Sequence, residues 1–219
     1  MTQPARPLPY QCEFIELCMQ LGVLKFGNFK LKSGRESPYF FNAGLFNTGA
    51  AIAAVGRAYA DAVTASGVAF DMLFGPAYKG IPLVTATASA LAETRNRNVA
   101  FAFNRKETKD HGEGGNIVGG PLNGRVLIVD DVITAGTAIR ESIDNIKNAG
   151  ATPAGVLLAL DRQERGSGNG LSAVQEVREQ FGIPVIAVIG LQELVQYMSL
   201  QGRTTDLASI QAYRERYGV

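Results

Sequence analysis

The stretch Val126-Leu127-Ile128-Val129-Asp130-Asp131-Val132-Ile133-Thr134-Ala135-Gly136-Thr137-Ala138 reads as a buried strand, two carboxylates, a turn of small residues and the start of a helix. Four consecutive apolar residues leave no polar face, so this strand needs cover on both sides, as in a parallel sheet flanked by helices. The turn can present several backbone N–H groups to one anion. The helix start adds about half a positive charge at the same place. Thr134 and Thr137 supply hydroxyl donors. Two carboxylates beside an anion site would repel a bare phosphate. They become useful when the ligand also carries hydroxyls, because ionised carboxylates only accept hydrogen bonds. A sugar phosphate has both parts. Turn or capping roles for these Asp and Thr residues are the competing explanation. Two adjacent Asp after four buried residues, followed by Thr-Ala-Gly-Thr, favour the ligand. A metal-binding acidic strand end of a nucleotide triphosphatase would need a G-x-x-x-x-G-K-[ST] loop, which this sequence lacks. Gly166, Gly168 and Gly170 do not have dinucleotide-loop spacing.

Outward from this stretch, strands and helices alternate. Upstream, Thr48–Ser66 is an alanine-rich helix, Met72–Phe74 a short strand ended by Gly75-Pro76, Gly80–Ala92 a helix and Val99–Phe103 a strand. Downstream, Ala138–Ala149 is a helix, Gly155–Leu160 a strand, Ser172–Phe181 a helix and Pro184–Ile189 a strand, before two polar helices. The expected fold class is α/β, a central parallel sheet flanked by helices. Ahead of it, Phe14, Leu17, Cys18 and Leu21 mark an amphipathic helix. Phe29–Lys32, a turn at Ser33–Glu36 and Tyr39-Phe40-Phe41 suggest a small antiparallel hairpin, an N-terminal hood. The reading is one domain over residues 1–219, with helix and hood in about 1–47 and a lid loop at 104–120. Ligands of such folds bind beyond the carboxyl ends of the strands.

Composition narrows the classes. The chain has 219 residues, 21 basic and 20 acidic, for a net charge of +1. That balance gives no electrostatic case for nucleic acid or a membrane surface. The apolar fraction of 46% and charged fraction of 19% are those of a globular chain. No run of about 18 apolar residues is present, so no membrane span is expected. Met1–Pro9 has three prolines and no apolar run, unlike a signal peptide. Cys12 and Cys18 are too few for a disulfide framework and are expected as two buried thiols in a reducing, cytoplasmic setting.

Other segments carry chemistry less decisively. Asn104–Gly120 contains Arg105, Lys106, Lys109 and the only histidine, His111, with Gly112, Gly114 and Gly115 behind. Dense charge with glycine suits a lid over a polyanion. Glu107, Asp110 and Glu113 leave the loop nearly neutral, which equally suits a solvated surface loop. Tyr78-Lys79 follows Gly75-Pro76, and Lys79 can meet a phosphate as a point charge or stand as surface charge. Lys25, unaided, reads as surface charge. Phe40 and Phe41 suit either core packing or stacking on a flat ring. Arg162, just past a strand, can fork onto a carboxylate or carbonyl edge. Arg165, three residues on, reads as a solvated arginine.

Val126–Ala138 resembles the phosphoribosyl-diphosphate (PRPP) motif of the type I phosphoribosyltransferases. The segments Leu31–Asn42, Gly75–Gly80, Phe103–Gly115 and Leu160–Gly166 are, in order, similar to the orotate branch of that family, and the resemblance spans about residues 10–215. It implies transfer of ribose 5-phosphate from PRPP to orotate, giving orotidine 5′-monophosphate and diphosphate, in pyrimidine (UMP) biosynthesis. It implies Mg2+ as cofactor, held largely by substrate phosphates and water. It assigns PRPP to Lys25, Tyr78, Lys79, Arg105 and the whole run Asp130, Asp131, Val132, Ile133, Thr134, Ala135, Gly136, Thr137 and Ala138. It assigns orotate to Phe40, Phe41, Thr134 and Arg162. It implies catalytic roles for Lys109, His111, Asp130 and Asp131. Finally, it implies a homodimer in which Lys106, Lys109 and His111 reach the neighbouring subunit's site. Two other functions fit part of the pattern: a PRPP-sensing regulatory module, and a phosphoribosyltransferase for another base. The first should carry a basic extension, yet residues 1–12 hold one arginine. The aromatic pair, Arg162 and the Lys/His lid speak for orotate over other bases.

Overall fold

A computed structural model of the chain describes residues 6–31, 34–109, 115–134, 136–166 and 170–219, with the backbone alone at 107–109 and 115. Six strands form the main sheet in the order β5-β4-β3-β6-β7-β8. They are β3 (Met72–Gly75), β4 (Ala100–Lys109), β5 (Gly115–Gly119), β6 (Arg125–Asp130), β7 (Thr152–Asp161) and β8 (Val185–Gly190). All neighbours pair in parallel except β5, which runs antiparallel on β4 at the edge. The expected parallel sheet is therefore present, with one antiparallel edge strand.

The uninterrupted apolar run of β6 has the consequence its pattern requires. Side chains alternate across a strand. Leu127 and Val129 enter one core with Leu73, Leu157 and Ala159, while Val126 and Ile128 enter the other with Met72, Phe74, Val156 and Leu158. Helices α1 (Pro9–Gln20), α2 (Gly49–Ser66), α3 (Gly80–Arg95), α6 (Leu191–Leu200) and α7 (Thr204–Tyr217) contribute to the first core. Helices α4 (Thr137–Asn148) and α5 (Ala173–Phe181) cover the second. In α4, Ile139, Ile143 and Ile146 form the buried stripe, at helical spacing. Ser172 starts α5 with a reciprocal cap: its Oγ accepts from the Gln175 N–H, and the Gln175 side chain accepts from the Ser172 N–H. Among the described residues, no helix is long and apolar enough to cross a membrane.

Three local expectations change. The hood hairpin starts earlier than its pattern suggests, with β1 at Leu24–Lys30 pairing antiparallel to β2 at Glu36–Phe41. The register shifts between Phe26 and Phe29, where Gly27 has φ 148°. A bulge there breaks the alternation that would reveal the strand. Residues 104–120 are not a plain loop. β4 continues to Lys109 and folds back through β5, with Phe103 opposite Val118 and Asn104 opposite Ile117. Arg105-Lys106-Glu107-Thr108-Lys109 shows no apolar alternation, so backbone pairing alone extends this strand; the tip at 110–114 lies outside the described residues. The two cysteines differ: Cys18 is buried, where burial pushes its thiol well up, whereas Cys12 is only half-buried.

Candidate active site

The chain runs from β3 outward to β4 and β5, then returns to the other side of β3 as β6. The carboxyl ends of β3 and β6 thus flank the point where strand order reverses, the usual crevice of an open α/β sheet. A cleft of about 300 Å³ opens there, lined by Ala77–Lys79 from one side and Asp130–Thr134 and Gly136–Ile139 from the other.

The β3 side is shaped by glycine. A Cβ on Gly75 would come within 2.3 Å of the Gly80 carbonyl oxygen, and one on Gly80 within 2.9 Å of the Val129 carbonyl oxygen. Only two glycines let this turn lie flat against β6. The Ala77–Tyr78 peptide is cis, and the Ala77 N–H donates to Asn104 Oδ1 at 2.8 Å. Helix α3 begins immediately afterwards, so its N-terminus also faces the cleft. On the β6 side, Gly136 adopts a left-handed conformation (φ 70°) and launches α4. The first N–H groups of α4 have no partner within the helix and line the same space.

Asp130 and Asp131 sit between these helix ends and are both buried. The Asp131 N–H donates to Asp130 Oδ1 at 2.9 Å. Lys79 Nζ reaches Asp131 Oδ2 at 2.6 Å, and Lys79 itself is mostly exposed. Burial, and then the charge of Asp131, push the Asp130 carboxyl up to about 7. Behind them the backbone is anchored. The buried Tyr59 hydroxyl donates to the Asp130 carbonyl at 2.9 Å, and the Ala159 N–H donates to the Asp131 carbonyl at 2.9 Å. The site therefore offers donors at two helix ends and an ammonium, with buried acceptors between them. That is the complement of a molecule carrying both phosphates and hydroxyls.

The structure brings together Tyr78, Lys79, Asp130, Asp131, Val132, Ile133, Thr134, Gly136, Thr137 and Ala138 around this cleft. Ala135 and His111 lie outside the described residues, as does the Lys109 side chain. Lys106 Nζ lies 5.2 Å over the ring of Tyr78 in the same chain, so the β4 hairpin leans toward the cleft. Arg105 precedes it on β4 and is half-buried. The hood residues form a second cluster. Lys25 and Phe40 are cross-strand partners and both exposed, with Phe40 stacked on Phe29 at 5.6 Å. Phe41 points to the opposite face and packs edge-on against Phe46. The two phenylalanines thus do not act as a pair; one is core and one is available.

Arg162 joins the hood to the sheet. It follows β7, whose residue Ala159 is bonded to Asp131, and it stacks 4.7 Å over the Tyr39 ring. Arg165, by contrast, is exposed, as its sequence context suggests. Sequence reasoning missed Tyr59, Asn104, Tyr39 and Glu164. The last accepts from both Arg162 and Tyr39. A carboxylate two residues beyond the arginine was the only available signal.

Comparison with known proteins decides the family. The phosphoribosyl transferase domain pattern matches residues 44–169. The chain is 62% identical to the orotate phosphoribosyltransferase of Thioalkalivibrio sulfidiphilus, over 96% of this chain and 99% of that one. It belongs to the orotate phosphoribosyltransferase family. The enzyme of the same name from Cronobacter sakazakii is likewise 62% identical, over 96% of this chain and 99% of that one. The crystal structure of orotate phosphoribosyltransferase from Francisella tularensis superposes with a TM-score of 0.86 at 45% identity, covering 94% of this chain and all of that one.

Proposed function

We infer that the chain transfers the ribose 5-phosphate group of PRPP to orotate, giving orotidine 5′-monophosphate and diphosphate in pyrimidine biosynthesis. The single observation that carries the site assignment is the placement of two buried carboxylates and two helix N-termini around one cleft. The reaction breaks the bond from ribose C1 to the diphosphate oxygen, which keeps the electron pair, and a ring nitrogen of orotate bonds to C1 as its N–H proton leaves to the departing diphosphate or to water. Asp130 and Asp131 accept from the ribose hydroxyls. The α4 N-terminus, Gly136, Thr134 and Thr137 hold the 5-phosphate. Lys79, at the α3 N-terminus, meets the diphosphate and exchanges its Asp131 partner for it. Lys25, Tyr78 and Arg105 add PRPP contacts.

Orotate takes the hood side, with Phe40 against its ring and Arg162 at an anionic or carbonyl edge; Phe41 supports through the core. Lys106, Lys109 and His111 belong to a lid at 104–120 that neutralises the departing diphosphate and excludes water. The active unit in this proposal is a cytoplasmic homodimer whose lids serve neighbouring sites.

Among the described residues no cluster of three metal-ligating side chains exists. Mg2+, as the family resemblance implies, would come in with the diphosphate and its waters, and Asp130 and Asp131 are the carboxylates at the cleft that could reach it. The ion would supply charge neutralisation of the leaving group.

An assay of purified protein with PRPP, Mg2+ and a panel of free bases tests this reading. Turnover with orotate, and none with uracil, adenine or hypoxanthine, is expected. Preference for another base overturns the substrate assignment, and PRPP binding without any turnover overturns the enzyme.

A further inference from the structure

The Arg162 guanidinium is unusually well held for a side chain expected to meet substrate. A single oxygen, Glu164 Oε1, accepts from Arg162 Nε at 2.9 Å and from the Tyr39 hydroxyl at 2.9 Å, and Arg162 Nη2 forms an ion pair with it at 2.7 Å. Ser37 Oγ lies 3.5 Å from Nη2. The guanidinium face is taken by the Tyr39 ring at 4.7 Å. One edge and one face are therefore committed. Among the described residues, no hydrogen bond or ion pair engages Nη1. Burial opposes the Arg162 charge, and the Glu164 carboxylate at its edge works against that cost.

Glu164 is fixed in turn by the far end of the chain. Its backbone forms an antiparallel bridge with Gly218. The Arg165 N–H donates to the Tyr217 carbonyl at 2.7 Å, and the Val219 N–H to the Gln163 carbonyl at 3.1 Å. Arg35, from the hood, donates to the Arg165 carbonyl at 2.7 Å and lies 5.0 Å over the Tyr217 ring. Tyr213 meets the Tyr39 ring edge-on at 6.2 Å. The hood, the loop after β7 and the C-terminal helix thus converge on one carboxylate.

We propose that Glu164 is a positioning residue for orotate: it grips Arg162 by its Nε/Nη2 edge so that the Nη1 edge stays turned to the substrate. A long arginine left without this grip samples several rotamers, and substrate binding must then order it. The proposal rests on the reading above that Arg162 meets orotate, and specifies what holds it there. It also gives the C-terminal strand-like tail a role, since the tail locks the backbone that carries Glu164.

The test is steady-state kinetics of Glu164→Gln, Arg162→Lys and the double variant, with melting temperatures alongside. Glu164→Gln keeps size but removes the charge-assisted bonds. It should raise KM for orotate about tenfold while KM for PRPP stays within about twofold. The double variant should be no worse than Arg162→Lys alone, because both act through one guanidinium. An unchanged orotate KM in Glu164→Gln, equal rises for both substrates, or additive losses in the double variant overturn the proposal. If Arg162→Lys itself leaves the orotate KM unmoved, the orotate contact of Arg162 falls, while the base panel still judges the enzyme assignment. Should Glu164→Gln fail to fold, Tyr39→Phe removes one donor from the same oxygen. A smaller rise in orotate KM is expected there, and no rise overturns the idea.

Discussion

Asp130 is placed where a carboxylate is expensive, and replacing it by asparagine should expose that cost. The side chain is buried, its neighbour Asp131 is also buried, and the compensating ammonium of Lys79 is mostly in solvent and bonded to Asp131. Burial first, and the Asp131 charge second, raise the Asp130 carboxyl from 3.8 to about 7. By order of magnitude this makes the ionised form a few kcal/mol less favourable in the folded chain than in the unfolded one, a cost shared by the two adjoining carboxylates. The folded-state value is the raised one, so stability from this group is fully present below about pH 4. It is lost as pH climbs through about 7. An asparagine at this position cannot ionise, and its side-chain oxygen can still accept from the Asp131 N–H. Its amide group needs a partner of its own, which offsets part of the gain. A net stabilisation of about 1–3 kcal/mol at about pH 8 remains, a rise of roughly 2–10 °C in melting temperature for a chain of this size. At about pH 5 the advantage should largely vanish. Thermal unfolding of ligand-free Asp130→Asn and wild type across this pH range measures it. The same variant should bind PRPP more weakly, since a charged acceptor for a ribose hydroxyl is gone. Parallel pH profiles, or a variant no more stable at about pH 8, would refute the reasoning that a strained, buried charge is kept here for the ligand.

Two further outcomes are expected. Gly80→Ala places a Cβ 2.6 Å from Pro76 Cδ and 2.9 Å from both the Gly75 carbonyl carbon and the Val129 carbonyl oxygen. Backbone on two sides cannot yield, so about 1–3 kcal/mol of stability should be lost, together with PRPP affinity; urea unfolding and PRPP titration check both. A Lys109→Ala protein should lose about 100–1000-fold in turnover with little change in melting temperature. Mixed with an inactive Asp130→Asn/Asp131→Asn protein, it should recover activity toward about a quarter of wild type, because random exchange makes about half the dimers mixed, each with one sound site. Absence of recovery despite exchange proven by mass measurement removes the shared lid.

The sheet, its flanking helices and the position of the cleft after β6 were legible in the linear chain because their causes are local. Val126–Val129 is apolar at every position, so it could only be a strand covered twice. The Asp pair and the small-residue turn that follow carry their chemistry in adjacent residues. Glycine at 75, 80 and 136 likewise announces turns, although only the packed chain reveals that 75 and 80 are needed because β3, β6 and the start of α3 touch. The hood and its site were harder. Gly27 puts a bulge into β1 and hides its alternation, and residues 105–109 form a strand through backbone pairing that side-chain pattern does not record. Phe40 and Phe41 are neighbours in sequence yet face opposite ways, because successive strand residues alternate. Glu164 holds Arg162 two residues away, but it also holds Tyr39, 125 residues away, with Gly218 behind it. No local pattern encodes such a meeting: it exists only once the hood has closed on the sheet and α7 has returned to the loop after β7.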